Sequence, residues 1–359
     1  MAFNRITVNS LGDYMNEIAK IEENSVKKLR PQILWFRGQH NMFQSLVPSL
    51  YRTKVRAERT DGTKTYTELH YAEDIRTQHY IAKNYHLLSS KPSSRVEWLE
   101  VMQHHLVKTR VLDWSESSLH ALLFALEPFL DNQKYNELSR RRAVPCVWVL
   151  NPKKLNKKIM EKIKNDEELQ EELMTDLRAT EKEKNQIKKN MQEYGRFSRY
   201  AETEETSHID YIFNLSSIND ELLRDRSRLK QLLANGDVLN PYYYFLARIY
   251  SDGYLLKERM LPPLCVVQPY HSERIKAQKG VFSVFPFYME RENDKFLRDF
   301  GINPDALERN IMAMNCLTQI IIHNPQEVAC QMMQNGLNDS WLYPEMPVVS
   351  SEIENHRIF

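Results

Sequence analysis

The feature that most constrains this fold is a set of short apolar runs, spaced singly through the chain and separated by stretches of helical periodicity. The runs are ILWF at 33–36, TRVLDW at 109–114, AVPCVWVL at 143–150, LCVVQP at 264–269, VFSVFPF at 281–287 and CLTQIIIH at 316–323. Runs of this length, rich in branched and aromatic residues, read as buried strands. Strands that arrive one at a time between helices imply an α+β domain, a mixed sheet surrounded by helices.

The first run ends abruptly in Arg37, Gly38 and Gln39. A strand here delivers Arg37 to its own end, where the planar guanidinium fork suits a phosphate or carboxylate. Gly38 lacks a Cβ, so the backbone can turn sharply or let a ligand approach closely. The same residues also fit a structural ion pair and a plain turn. Arg52, after the anchored segment around Leu46, Val47, Leu50 and Tyr51, either reaches the same site or lies in solvent.

Between the runs, apolar spacing predicts helices over 11–21 and 65–88. Ser94 and Glu97 have capping-box spacing and start another helix. That helix ends near Gln103, His104 and His105. Ser115 or Ser117 caps a buried apolar helix over 119–126. The stretch 153–205 is rich in Lys and Glu and poor in aromatics. It reads as a solvated helical insertion with i,i+4 pairs and little apolar surface to bury. Further helices are expected around 221–233 and 326–335, with the segment SWLYPEM tied down by Trp341, Leu342 and Tyr343.

Lys plus Arg is 49 against 48 for Asp plus Glu, so no global charge favours a polyanion or a membrane surface. Any basic site must be local. The four cysteines are scattered and form no CxxC pair, which suits a reducing compartment. The first residues lack the apolar core of a signal peptide, and no run has the length of a membrane span. These features predict a soluble, cytoplasmic protein. His104, His105 and Asp113 match no HExxH or CxxC spacing, so no metal is expected. No GxSxG elbow, P-loop or GxGxxG occurs.

Three polar clusters remain: Phe36-Arg37-Gly38-Gln39 with Arg52; QHHLVKTRVLDW, containing His104, Thr109, Arg110 and Asp113; and RIKAQKGVF, containing Arg274 and Gln278. In this order they resemble the bacterial FRG-domain family, named for its aromatic-Arg-Gly motif and continuing with QHxGLPTRLLDW-like and RIxxQxGxF-like segments. The resemblance runs over 1–347, with 153–205 as an insertion and 348–359 as a tail. Where the family carries Gly and Pro in the second motif, this chain has Leu106 and Lys108, which implies a different turn. The motif order is similar to the three-part layout of ADP-ribosyltransferases, in which the first-motif residue orients NAD. That analogy implies an NAD-dependent transferase acting as a toxin or anti-phage effector, with Arg37 and Gln278 as catalytic candidates. Gly38, Gln39, Arg52, His104, Thr109, Arg110, Asp113 and Arg274 are then ligand-binding. Arg37, Arg110 and Gln278 should border one cleft. A non-catalytic module holding a peptide or nucleic-acid phosphate fits the same residues. Nicotinamide cleavage benefits from a carboxylate near the ribose, and the third motif offers Gln278 where a glutamate would stand.

Overall fold

The computed structural model describes residues 3–26, 33–52, 66–88, 91–129, 142–201, 220–238, 240–258, 260–267, 269–289, 303–338, 341 and 343. The apolar runs form a seven-stranded mixed sheet in the order β1-β9-β4-β2-β3-β7-β6. Its strands are β1 (Asn4–Val8), β2 (Trp35–Gln39), β3 (Val111–Ser115), β4 (Cys146–Leu150), β6 (Leu264–Val266), β7 (Gly280–Val284) and β9 (Leu317–Ile322). β1 and β9 pair in parallel and every other neighbouring pair is antiparallel. The sequence reading missed β1, whose residues are mostly exposed because it lies at the sheet edge, and the two-residue β5. Pro286 ends the VFSVFPF strand early. The residues after it, β8 (Phe287–Tyr288), pair instead with β5 (Leu255–Leu256) in a second small sheet.

Helices cover both faces. On one face, α1 (Leu11–Val26), α5 (Ser118–Leu126) and α14 (Pro325–Gln334) bury Tyr14, Ile18, Leu122, Leu126, Val328 and Met332 against Phe36, Val147 and Val149. Ser117 caps α5 by accepting from the His120 amide at 3.3 Å. The other face carries α2 (Ser49–Arg52), α3 (Tyr66–Asn84) and α4 (Arg95–His104), followed by α6 (Pro152–Asn165), α7 (Glu167–Asp176) and α8 (Glu181–Ala201). Beyond these lie α9 (Asp220–Arg224), α10 (Arg226–Asn235), α11 (Pro241–Tyr250), α12 (Glu273–Ala277) and α13 (Ile311–Met314). Ser94 caps α4 as its spacing predicts, and the Glu97 carboxylate accepts from the Ser93 amide and hydroxyl. Among the described residues, no helix is long and apolar enough to cross a membrane.

The reading of 153–205 as a segment with little to bury is corrected by its inner stripe. Leu155, Ile159 and Ile163 of α6, Leu169 and Leu173 of α7, and Ile187 and Met191 of α8 are buried in the same core as Trp35 and Trp148. Each such side chain contributes about 1.5–3 kcal/mol on burial. The outer faces carry the expected short-range pairs, such as Lys162 with Asp166. The composition looks solvated because a charged face and an apolar stripe average out over a helical period. Asn156 further clamps α6 to the sheet edge, donating to the Cys265 carbonyl at 2.8 Å and accepting from its amide at 2.9 Å. Residues 202–205, 208–215, Leu342 and 344–359, to which the sequence reading also assigned elements or a tail, lie outside the described residues.

Candidate functional site

β2 is the central strand, and it meets β3 at one bridged pair only, Phe36 with Ser115. By contrast it keeps five paired residues with β4, and β3 keeps five with β7. The sheet therefore opens between β2 and β3 just beyond Phe36. Arg37 enters this opening. Its Nη1 donates to the Asp113 carbonyl at 2.6 Å and stands 3.9 Å from Asp113 Oδ2. Arg37 thus sits in mid-strand, not at the strand's end, and satisfies a carbonyl that a neighbouring strand would otherwise take. Its Nε is buried with no hydrogen-bond partner among the described residues.

Arg52, the last residue of α2, is held by a bond from Nε to the Val47 carbonyl at 3.0 Å. Burial, and then the Arg52 charge, push the Arg37 pKa below the ordinary guanidinium value, against the opposing pull of Asp113. Burial likewise lowers that of Arg52, and Asp113 opposes it. Two guanidiniums that repel each other across one carboxylate form a place where added negative charge is favourable. Gln103 fixes the carboxylate: its Nε2 donates to Asp113 Oδ2 at 3.1 Å, while its Oε1 accepts from Thr109 Oγ1 at 2.9 Å and Ser49 Oγ at 3.3 Å. The Asp113 side chain remains 45 % exposed and that of Arg37 20 %.

One turn before Gln103 on α4 lies a group that the sequence reading did not single out. Glu100 is buried, and its Oε1 has no hydrogen-bond partner. Burial, then the charges of Glu97 and Asp113, push its pKa well above the ordinary carboxylate range, which favours its neutral form. The only signal in the sequence is its spacing of three from Gln103. It was easy to pass over in a helix where eight consecutive residues, from Arg95 to Met102, are buried.

The third motif approaches from the same side. His271 Nε2 stands 3.2 Å from Glu97 Oε2. The chain then runs through α12 to Gln278, whose carbonyl accepts from Ser115 Oγ at 2.7 Å. Ser115 is two residues beyond Asp113 and therefore on the same face of β3. Arg274 lies over the Tyr343 ring at 4.5 Å, and Trp341 stacks on His120 at 3.8 Å, so both aromatics of the SWLYPEM segment that are described dock where the sequence placed an anchor.

Several candidates have other roles. Arg110 is fully buried, with Nε on Glu73 at 2.9 Å, Nη1 on the Phe285 carbonyl at 2.9 Å and Nη2 on the carbonyls of Tyr250 and Ser251. Its donors are spent on the protein, so it joins no shared cleft with Arg37. Gly38 does not turn the chain or admit a ligand. A Cβ there would stand 1.9 Å from the Ala121 carbonyl oxygen and 2.7 Å from the Ala125 amide nitrogen, so the glycine lets α5 lie directly on the sheet. Gln39 is buried and accepts from Trp148 Nε1 at 2.8 Å. Thr109 is fully buried and positions Gln103. His104 packs edge-to-face on His105, with ring centroids 5.0 Å apart.

Leu106 stands where the family pattern carries glycine. Leu106 adopts φ 63°, the left-handed conformation a glycine takes freely. Its amide donates to the Gln103 carbonyl and the Val107 amide to that of Met102, the paired bonds of a Schellman helix end. A leucine here holds the conformation that a glycine adopts freely.

No curated protein and no solved structure matches the chain. The model of the FRG domain matches residues 32–134. That span runs from the start of β2 past α5 and holds Arg37, Arg52, Glu100, Gln103 and Asp113, whereas Arg274 and Gln278 lie beyond it. The two matched motifs are those that meet at the opening between β2 and β3, and over these residues the chain matches the FRG domain.

Proposed function

We propose that the opening between β2 and β3 binds the phosphates of a nucleotide-type ligand, with NAD as the leading candidate and ADP-ribosyl transfer as the activity. The observation that carries this reading is the pair of mutually repelling guanidiniums, Arg37 and Arg52, gathered on one half-exposed carboxylate, with a buried Arg37 Nε–H left unpaired. A buried donor without a partner costs about 1–3 kcal/mol, which an anionic acceptor would recover.

The residues present fit NAD in charge. Arg37 and Arg52 would hold the pyrophosphate, and the group when bound supplies a cationic nicotinamide whose departure leaves positive charge on the ribose. Asp113 provides a fixed negative charge beside the arginines. Glu100 would provide the carboxyl that the third motif lacks, its neutral form favoured by burial and its ionised form by positive charge developing nearby. Gln103 holds Asp113 in place and so acts as a positioning residue. A toxin or anti-phage effector role, with a macromolecular target, rests on the family resemblance. The non-catalytic alternative uses the same arginines on a peptide or nucleic-acid phosphate.

The test is calorimetric titration of NAD, ADP-ribose and a phosphorylated peptide into the wild-type chain and Arg37→Lys, with thermal unfolding of both. Lysine keeps the charge but loses the fork, so NAD affinity should fall about 10- to 100-fold, the equivalent of one charge-assisted bond of about 1.5–3 kcal/mol. A large drop in melting temperature with an unchanged NAD titration would make Arg37 a structural spacer. Binding of the phosphopeptide but not of NAD would select the non-catalytic module.

A further inference from the structure

A second cleft shares no lining residue with the Arg37 group. It lies where α3 and α4 of the FRG segment face α7, α9, α10 and α11, and has a volume of about 650 Å³. A neighbouring space of about 410 Å³ adjoins it, with Asp74, Gln78, Arg95 and Arg224 lining both. Each lies within the usual size range of small-molecule sites. The two spaces differ in character. The larger holds four guanidiniums, Arg95, Arg224, Arg226 and Arg248, while the smaller is walled by Ile81, Ala82 and Trp98.

The arginines of the larger space are unequally satisfied. Arg248 donates to Asp176 through Nε at 3.0 Å and Nη2 at 2.7 Å, and also pairs with Asp252. Arg95 pairs with Asp74 and, at 3.5 Å, with Glu73, and Arg226 shares Asp176 at 3.3 Å. Three aspartates of the lining face its four arginines, the Glu73 carboxylate behind Arg95 is shared with the buried Arg110, and Arg224 has no ion-pair partner among the described residues. A network that served only to clip the helical segment to the FRG segment would balance its charges. This one leaves a free guanidinium at the junction of the two spaces.

We propose that this double cleft is a second ligand site, taking a phosphate monoester carried on a flat apolar body. The phosphate would lie on Arg224 and Arg226, whose planar forks match its oxygens. The body would enter the space walled by Ile81, Ala82 and Trp98. The carboxylates that hold Arg95 and Arg248 keep those side chains oriented before any ligand arrives, which lowers the ordering cost of binding.

The experiment is calorimetric titration of AMP, ribose 5-phosphate and inorganic phosphate into the full chain, into Arg224→Ala and into Arg37→Lys. Arg224 is exposed and has no ion-pair partner among the described residues, so its loss leaves the fold intact. AMP should bind more tightly than either smaller probe, and Arg224→Ala should weaken it tenfold or more while Arg37→Lys leaves it unchanged. AMP binding that is absent, or that Arg224→Ala does not alter, would overturn the site. AMP binding lost in Arg37→Lys alone would assign the nucleotide to the opening between β2 and β3, so the cleft would fall and the proposed function would stand. Equal affinity for AMP and ribose 5-phosphate would overturn the role given to the apolar end.

Discussion

Replacing Gly38 by alanine tests the reassignment of the FRG glycine from ligand approach to helix packing. The new Cβ would stand 1.9 Å from the Ala121 carbonyl oxygen, whereas real Cβ contacts do not fall under 3.0 Å. α5 and β2 must therefore separate by about 1 Å or more, and both clashing partners are backbone, so no rotamer change relieves them. A gap of that size forfeits about a quarter to a half of the dispersion energy of the contacts it opens. Those contacts include Ala121, Leu122, Ala125 and Leu126 on Phe36, Val147 and Val149. Overpacking in cores costs about 1–3 kcal/mol, and a clash with helix backbone on the central strand belongs at or above the upper end, about 3 kcal/mol. The assay is urea unfolding followed by tryptophan fluorescence, for which Trp35, Trp114 and Trp148 are buried reporters beside the affected strands. Adding Ala121→Gly should not rescue Gly38→Ala, because the obstructing atom is a carbonyl oxygen and not a side chain. A loss below about 1 kcal/mol, accompanied by weakened NAD binding, would refute the packing argument and return Gly38 to the ligand.

Two further outcomes follow from single residues. Leu106→Gly should raise stability by about 1 kcal/mol, since a leucine held left-handed costs about 1–2 kcal/mol and glycine removes that strain at some entropic cost. For a chain of this length that is a rise of roughly 1–2 °C in Tm, and a fall would show that the 92 % exposed leucine makes a contact worth its strain. Asp305 is buried and its carboxyl is pushed up to about 8 by that burial. Its folded pKa exceeds the unfolded value of 3.8, so the folded state holds the proton more tightly. The stability this contributes is present at low pH and is lost as pH rises from about 4 to about 8. At about 1.4 kcal/mol per pH unit the ceiling is about 6 kcal/mol, and water reaching the unfolding site makes about half of that the realistic size. Asp305→Asn should flatten the fall seen by denaturant titration between pH 5 and 8. Parallel wild-type and variant curves would remove Asp305 as its cause.

The strands of this protein, apart from β1 and β5, were legible as single apolar runs, because a run of branched and aromatic residues buried on both faces leaves little alternative. The caps at Ser94 and Ser117 were equally legible, since each depends on a bond between residues three apart. What the sequence could not decide was where a polar side chain ends up once the strands are ordered. Arg37 and Arg110 look alike in one dimension, each an arginine at the edge of an apolar run. Only the splay between β2 and β3 leaves the first partly exposed beside Asp113, and only the packing of α3, α11 and β7 seals the second around Glu73 and three carbonyls. The same holds for Gly38, whose missing side chain has a reason 83 residues away at Ala121. It holds too for the Lys/Glu-rich helices, whose composition gave no sign that their apolar stripe completes the main core. Local signals follow from hydrogen bonds and periodicity within a few residues, whereas burial, pairing and charge at a site depend on which distant segments the sheet order brings together.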